Sequence, residues 1–360
     1  MGRGPSDLQT EVLAADLCTG CGACLGHCPY LKTLGERVTF IHECPRTEGR
    51  CYAVCPRTGL NPDALDRQVF GAPRRDGLLG CYEALYWARA LDPEVSARGQ
   101  YGGVTTALAA LALVSGTADA ALLTRGGPTR MPEPVVARDR VAVLAAAGTK
   151  YTACPTLVPL AERLRAGQER LVVVGRPCQV EAVRKIEASA GEGRMPLVIG
   201  IFCFWALGPA FYRFLEGRGD LVRATKLDMP KEGGMTFALN GRSASVPIDE
   251  VRPFIRPACQ TCFDPTAEWA DVAVGSTEHD PAWNTLIVRT ERGRAFVDLA
   301  AAAGAIELRP YPAERVPILK EAVQGKKLRV LDACESGAPA AAYLDVGASH
   351  REAVRAWGRA

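Results

Sequence analysis

Seven of the fourteen cysteines in this 360-residue chain lie in its first 55 positions, and their spacing suits metal–sulfur chemistry. The first set is Cys18-Thr-Gly-Cys21-Gly-Ala-Cys24-Leu-Gly-His-Cys28-Pro29. Thiolates at every third position, then one four residues later followed by proline, wrap three corners of one 4Fe–4S cubane and send the fourth thiolate to a second cluster. Gly20 and Gly22 let the loop curl, and Pro29 stops the backbone from continuing as a helix. A second set, Cys44-Pro45 and Cys51-Tyr-Ala-Val-Cys55-Pro56, repeats the ending. A structural zinc site uses paired C-x2-C units instead, so the spacing favours iron and sulfide. Pseudo-twofold pairing assigns Cys18, Cys21, Cys24 and Cys55 to one cluster and Cys28, Cys44 and Cys51 to the other. Thr47 stands where the eighth thiolate is expected. The fourth ligand of the second cluster is then a non-sulfur group, a distant cysteine such as Cys81, or absent, which would favour a three-iron cluster.

Four more cysteines sit in places suited to chemistry. Leu171-Val-Val-Val-Gly175-Arg-Pro177-Cys178 reads as strand, tight turn and helix, with Cys178 where a helix dipole favours thiolate. Leu197-Val-Ile-Gly-Ile-Phe-Cys203 reads as a second buried strand ending in a cysteine. If the two strands are parallel neighbours, both thiols leave the sheet at the edge where open α/β sheets place ligands. Cys259-Gln-Thr-Cys262 is ambiguous by itself between zinc, a redox dithiol and half a cluster, and Cys178 and Cys203 could complete a four-thiolate set. Cys81, Cys154 and Cys334 are expected to be plain buried thiols.

The elements that must position these groups alternate between strand and helix after Tyr82. The turn Gly102-Gly103 followed by Val104-Thr105-Thr106 opens an apolar helix whose N-terminus suits a phosphate. Gly148-Thr149-Lys150-Tyr151 ends a short helix and sets a cation beside it. Strands are expected over 118–123, 171–175, 197–203, 271–276 and 284–290, a hairpin turn at Asn240-Gly241 and a helix over 292–303. No G-x-G-x-x-G follows a strand, which argues against a dinucleotide fold. The expected organisation is a cysteine-rich segment (1–72) stapled by its clusters, an α/β domain (78–218), a C-terminal domain completing the site (219–335) and an alanine- and glycine-rich tail (336–360). Basic and acidic residues nearly balance, 43 against 40, without a basic aromatic stripe, which speaks against nucleic acid. No apolar run approaches a membrane span. No signal peptide precedes the first cassette, so the thiols point to a reducing, cytoplasmic setting.

In this order, Gly102-Gly103, Gly148-Thr149-Lys150-Tyr151, Val174-Gly175-Arg-Pro177-Cys178-Gln179, Ile201-Phe-Cys203, Arg256-Pro-Ala-Cys259-Gln-Thr-Cys262-Phe-Asp264, Ala267-Glu268-Trp-Ala270-Asp271 and Val288-Arg289-Thr290 resemble the coenzyme F420 hydrogenase/dehydrogenase beta-subunit family. The resemblance runs from about Gly80 to Thr290, and a ferredoxin segment at the N-terminus is common in the family. It implies an α/β fold, with a ferredoxin-like iron–sulfur segment, a mixed α/β flavin domain and a C-terminal cluster-binding portion. It also implies FAD and two or three 4Fe–4S clusters. Gly102, Gly103, Thr105, Thr106, Gly148, Thr149, Lys150, Tyr151 and Pro177 would hold the flavin, with Lys150 stabilising negative charge on the reduced ring. The implied partners are a hydrogenase, formate dehydrogenase or heterodisulfide-reductase-like subunit, with a deazaflavin or ferredoxin as exchange partner. The other readings are a stand-alone reductase of a conjugated substrate such as a chlorophyll-type tetrapyrrole, a purely electron-relaying subunit and a zinc-stapled binding module. Arg176 replaces the family's usual threonine, Pro265 its phenylalanine, and Glu278-His279-Asp280 a small glycine-rich loop.

Overall fold

The computed structural model describes residues 2–34, 37–127, 129–190, 197–230, 233–277 and 279–358. Glu278 of the altered loop lies outside them. Two short antiparallel strands, β1 (Leu31–Leu34) and β2 (Arg37–Phe40), separate the two cysteine cassettes. The body is an eight-stranded sheet made of β3 (Ala84–Ala90), β4 (Ala120–Arg125), β5 (Glu133–Ala137), β6 (Leu171–Gly175), β7 (Leu197–Ile201), β11 (Val272–Ser276), β12 (Asn284–Val288) and β13 (Ile306–Pro310). A separate three-stranded antiparallel sheet lies between β7 and β11 in the chain: β8 (Lys226–Asp228), β9 (Gly234–Leu239) and β10 (Arg242–Pro247). The large sheet runs β13-β3-β12-β11-β7-β6-β4-β5, with β4, β6, β7 and β11 mutually parallel and the flanking pairs antiparallel. This is the expected α/β fold.

The strands of its centre are apolar over most of their length because both faces are buried. Ala120, Leu122, Leu171 and Val173 pack into one core, while Ala121, Leu123 and Val172 pack into the other. The second core is covered by the helices Val104–Val114, Arg140–Ala145 and Glu291–Ala302. On the first face lie the helix Pro177–Ala190, the cysteine-rich segment through Leu8, Val12, Leu31 and Leu65, and the helix Val316–Glu335. The cysteine-rich segment therefore shares its core with the sheet.

One expectation on organisation is corrected. The sheet does not divide near residue 218: the chain leaves it after β7, builds β8–β10 with a core of their own around Phe211, Met235 and Phe237, and returns to add β11, β12 and β13. The alanine- and glycine-rich stretch after Ser336 packs against the body of the protein. Tyr343 is buried and donates its hydroxyl to the Thr261 carbonyl at 2.7 Å, and the backbone of Leu60 exchanges hydrogen bonds with Tyr343 and Asp345. The helix Ala348–Ala356 places His350 against Gly77, with Nε2 3.0 Å from its carbonyl oxygen.

One ionic network joins these parts. Glu268, wholly buried, is paired with Arg74 and with Lys327 Nζ at 2.7 Å. Arg74 also meets Asp66 at 2.9 Å, and Asp66 accepts the Trp269 indole N–H at 2.9 Å. Burial pushes the Glu268 carboxyl up, but Arg74 and Lys327 outweigh it and hold it down at about 2. A carboxyl held below its ordinary value of 4.5 contributes stability that is fully present above pH 4.5 and is lost as pH falls towards 2. Lys327→Met should cost about 3–5 kcal/mol in urea denaturation at neutral pH, since it strips a buried carboxylate of a partner. Glu268→Gln should flatten the loss of stability between pH 5 and 3, and an unchanged acid profile would remove Glu268 from the network's account.

Candidate functional site

The parallel strands end on one edge of the sheet, and a cavity of about 490 Å³ lies there. That volume is of the size that takes a cofactor or a drug-sized ligand. Of the residues expected to hold a flavin, Gly103, Thr105, Thr106, Gly148, Thr149, Lys150 and Tyr151 line it. Gly102 and Pro177 shape turns without lining it. A Cβ on Gly102 would come within 2.8 Å of the Ala88 carbonyl oxygen and 3.0 Å of the Asn284 N, so only glycine lets the turn approach β3 and β12 this closely. Pro177 opens the helix after β6, where a missing N–H costs nothing.

The start of the helix Val104–Val114 is positioned by Gly103, which takes a left-handed conformation (φ +71°), and by Asn284. Asn284 Oδ1 accepts the Val104 N–H at 3.2 Å, and its Nδ2 donates to the Gly275 carbonyl at 3.1 Å. Thr105 and Thr106 follow in the first turn, whose N–H groups have no acceptor within the helix. Tyr101 also holds a left-handed conformation (φ +54°), costly for an aromatic residue. Its hydroxyl donates to Asp228 at 2.9 Å, and Tyr151 donates to the same carboxylate at 3.4 Å. Asp228 ends β8, so the small sheet is latched to both turns and closes one side of the cavity.

Lys150 lines the cavity, but its ammonium donates to the carbonyls of Ala146 (2.5 Å), Ala147 (2.9 Å) and Gly148 (2.9 Å). All three donors are thus used to cap the helix Arg140–Ala145, and its influence on a ligand is through charge. Burial lowers its pKa to about 8.

The cysteines fall into three adjoining groups. Cys21 and Cys24 have Cys18 and Cys55 as electrostatic neighbours. Cys51 has Cys28 and Cys44. Cys203 has Cys259 and Cys178, and Cys178 has Cys262. Cys21 also senses Cys178, and Cys24 senses Cys51, so the groups follow one another. Cys203 lines the cavity at one end of this series, while Cys28 and Cys44 are partly exposed at the other. Backbone N–H groups also face the sulfurs, among them Arg57 N to Cys55 (3.4 Å), Ala206 N to Cys259 (3.3 Å) and Ala23 N to Cys21. Gly22 is needed where the first loop crosses the body, since a Cβ there would meet the Pro155 carbonyl oxygen at 2.6 Å. Among the described residues no three His, Cys, Asp or Glu side chains converge tightly enough to hold a single metal ion.

Burial pushes the Cys55 and Cys178 thiols up to about 11 and Cys203 to about 12. Burial acts the same way on Cys262, but Lys326 and Arg57 reverse it and draw that thiol below its ordinary value. Lys326 Nζ lies 3.4 Å from Cys262 Sγ and donates to the carbonyls of Cys203 (2.8 Å) and Asp264 (3.0 Å). Arg57 is 2% exposed and stacks on Tyr343. Neither cation was marked by any motif; only the fold brings the helix Val316–Glu335 and the cysteine-rich segment to the same thiols. Cys81 sits apart from Cys28, Cys44 and Cys51, its thiol directed to the Pro73 carbonyl and its charged neighbours Asp66 and Arg74. Cys154 is buried as expected and also lines the cavity. Cys334 is half-buried on the helix Val316–Glu335.

The comparisons with known proteins agree with this architecture. Residues 85–161 match the family model "Coenzyme F420 hydrogenase/dehydrogenase, beta subunit N-term", and residues 168–314 match its C-terminal counterpart. The chain belongs to that family. The beta subunit of coenzyme F420 hydrogenase from Methanosarcina barkeri is 30% identical over 65% of this chain and 84% of its own length. Chloroplastic 7-hydroxymethyl chlorophyll a reductase of Oryza sativa subsp. japonica is 29% identical over 87% of this chain and 69% of its own. A chain in the solved F420-reducing [NiFe] hydrogenase complex of M. barkeri superposes with a TM-score of 0.68 at 28% identity, covering 73% of this chain and 94% of that one.

Asn284→Ala should leave the Val104 N–H and the Gly275 carbonyl without partners. The expected cost is about 1–3 kcal/mol in urea denaturation, with the cavity loosened at the helix start. Full stability in that variant would show that the turn is held by its glycines alone.

Proposed function

We propose that this chain is a flavin- and iron–sulfur-containing oxidoreductase subunit that passes electrons between a hydride carrier of the deazaflavin type and one-electron carriers in a partner subunit. The observation that carries this reading is the series of three thiol groups running from the cavity wall at Cys203 to the partly exposed Cys28 and Cys44. A bound flavin supplies hydride exchange and one-electron release, and clusters carry single electrons.

The residues present fit both groups. The first turn at Thr105 and Thr106 suits a phosphate. Lys150 supplies positive charge at the cavity wall. Cys178, Cys203, Cys259 and Cys262 would hold the cluster beside the cavity, Cys18, Cys21, Cys24 and Cys55 the next, and Cys28, Cys44 and Cys51 the outermost. A cubane distributes its thiolates over separate irons, which suits groups that adjoin without converging on one point. Lys326 and Arg57 offset the negative charge such a centre would bring into the interior. The relatives named as hydrogenase subunits support a place in a multi-subunit complex, with a formate dehydrogenase or heterodisulfide-reductase-like partner as the related choices. A second reading, a stand-alone reductase of a conjugated substrate, is supported by the longer alignment with the chlorophyll reductase. Turnover of such a substrate by the purified chain alone separates the two.

Anaerobically purified protein should contain flavin, iron and acid-labile sulfide, and zinc without sulfide would overturn the assignment. Cys203→Ser and Cys259→Ser should each remove the same electron paramagnetic resonance (EPR) signal and leave the others. Lys150→Ala should weaken flavin binding or lower the flavin potential at neutral pH. Because Lys150 titrates at about 8, its charge is present below that pH and lost above it. Wild type and variant should therefore converge well above pH 8, and a difference that persists there would assign the effect to packing.

A further inference from the structure

Arg176 joins β6 to the helix Pro177–Ala190, and it is 9% exposed. Its backbone is held in place. The Arg176 N–H donates to Gln179 Oε1 at 2.9 Å, and Gln179 Nε2 donates to the Cys154 carbonyl at 3.0 Å. Gly175 leaves no room for adjustment, since a Cβ there would sit 3.0 Å from Gln179 Cβ. From this fixed turn the guanidinium reaches the cavity wall. Its Nη2 is buried without a hydrogen-bond partner, and no ion pair with a carboxylate is formed among the described residues. Its titratable neighbours are Cys178, Cys203, Cys259 and Cys154.

A buried guanidinium with an unused donor and no carboxylate is costly unless negative charge arrives from elsewhere. Two sources adjoin it: the cavity and the four-thiol group. Lys326 and Arg57 also act on these thiols, Lys326 on Cys262, Cys203 and Cys259 and Arg57 on Cys262 and Cys178, but neither lines the cavity, so of these cations Arg176 is the one that adjoins both. The acids packed nearby, Glu181 and Asp264, are electrostatic neighbours of Cys262 or of Arg57.

We infer that Arg176 is the electrostatic coupling residue between the cavity and the Cys178/Cys203/Cys259/Cys262 centre, its single charge stabilising an added electron on either side. This inference rests on the flavin and cluster reading above. One-electron reduction of the centre adds one negative charge, and the electron comes from the reduced flavin in the cavity. A guanidinium cannot lose its proton at working pH, so the charge stays fixed while the electron moves. Arg176 acts through position and charge, and no bond to it is made or broken.

The test is a redox titration of the anaerobically purified holoprotein, read by EPR for the clusters and by absorbance for the flavin. Arg176→Met should lower the midpoint potential of the flavin and of the one cluster whose signal Cys203→Ser removes, leaving the other clusters unchanged. Arg176→Lys should restore most of both shifts. A methionine variant with wild-type flavin and iron content and unshifted potentials would overturn the inference while leaving the reading of the cofactors intact. Equal shifts in the lysine and methionine variants would also overturn it, since shape and not charge would then be responsible. Wild-type protein without flavin or sulfide would overturn the cofactor reading and this inference together.

Discussion

A carboxylate with no access to water dictates much of this structure. Glu268 is tolerable in its place only with Arg74 and Lys327 beside it, and those come from the segment after the cysteine cassettes and from the helix Val316–Glu335. Asp66 and Trp269 extend the same contact into the helix Pro62–Phe70. Three stretches, one of them nearly two hundred residues from Glu268 in the chain, must be present at once. Loss of one partner strands a buried charge, so the cysteine-rich segment cannot dock loosely on the sheet. The relative positions of the thiol groups follow from that rigidity, because one group lies in the docked segment and another on the sheet edge.

The second constraint is sulfur in a dry interior. Burial drives most of these thiols towards the protonated form, and only Cys262, facing Lys326 and Arg57, is drawn the other way. Metal–sulfur bonding requires deprotonated ligands, and the buried cations together with the backbone N–H bonds to Cys21, Cys55 and Cys259 are the features here that favour thiolate.

The large sheet was legible because its central strands are buried on both faces and carry short apolar runs within 118–123 (broken by Asp119), 171–175 and 197–203. The hairpin was legible from Asn240-Gly241, which is the two-residue turn pairing Leu239 with Arg242. Parallel pairing of β6 with β7 was conditional in the sequence and is present in the fold. Asp228, Asn284, Lys326 and Arg57 were not legible. Each is an ordinary residue in its local context and gains its position from partners 60 to over 200 residues away. The domain limit at 218 was misplaced because an excursion from a sheet reads, along the chain, like the start of a new domain. The packing of the C-terminal stretch was not legible, because alanine and glycine content hides the few residues, Tyr343, Leu344 and His350, that anchor it. Lys150 was visible as a cation, whereas its three carbonyl partners required the folded turn.

The excursion β8–β10 carries its own apolar core around Phe211, Met235 and Phe237 and touches the cavity through its edge, at Asp228, Met229 and Pro230. Its interior is distinct from the two cores that flank the large sheet, although Leu207, Trp205 and Ile255 join it to the segments that carry Cys203 and Cys259. Substitutions within that small core around Phe211, Met235 and Phe237 can tilt or reshape the wall it presents without touching the strands of the large sheet. Heritable change in the wall that faces the cavity can thus arise from a small core of its own, away from the central strands of the large sheet.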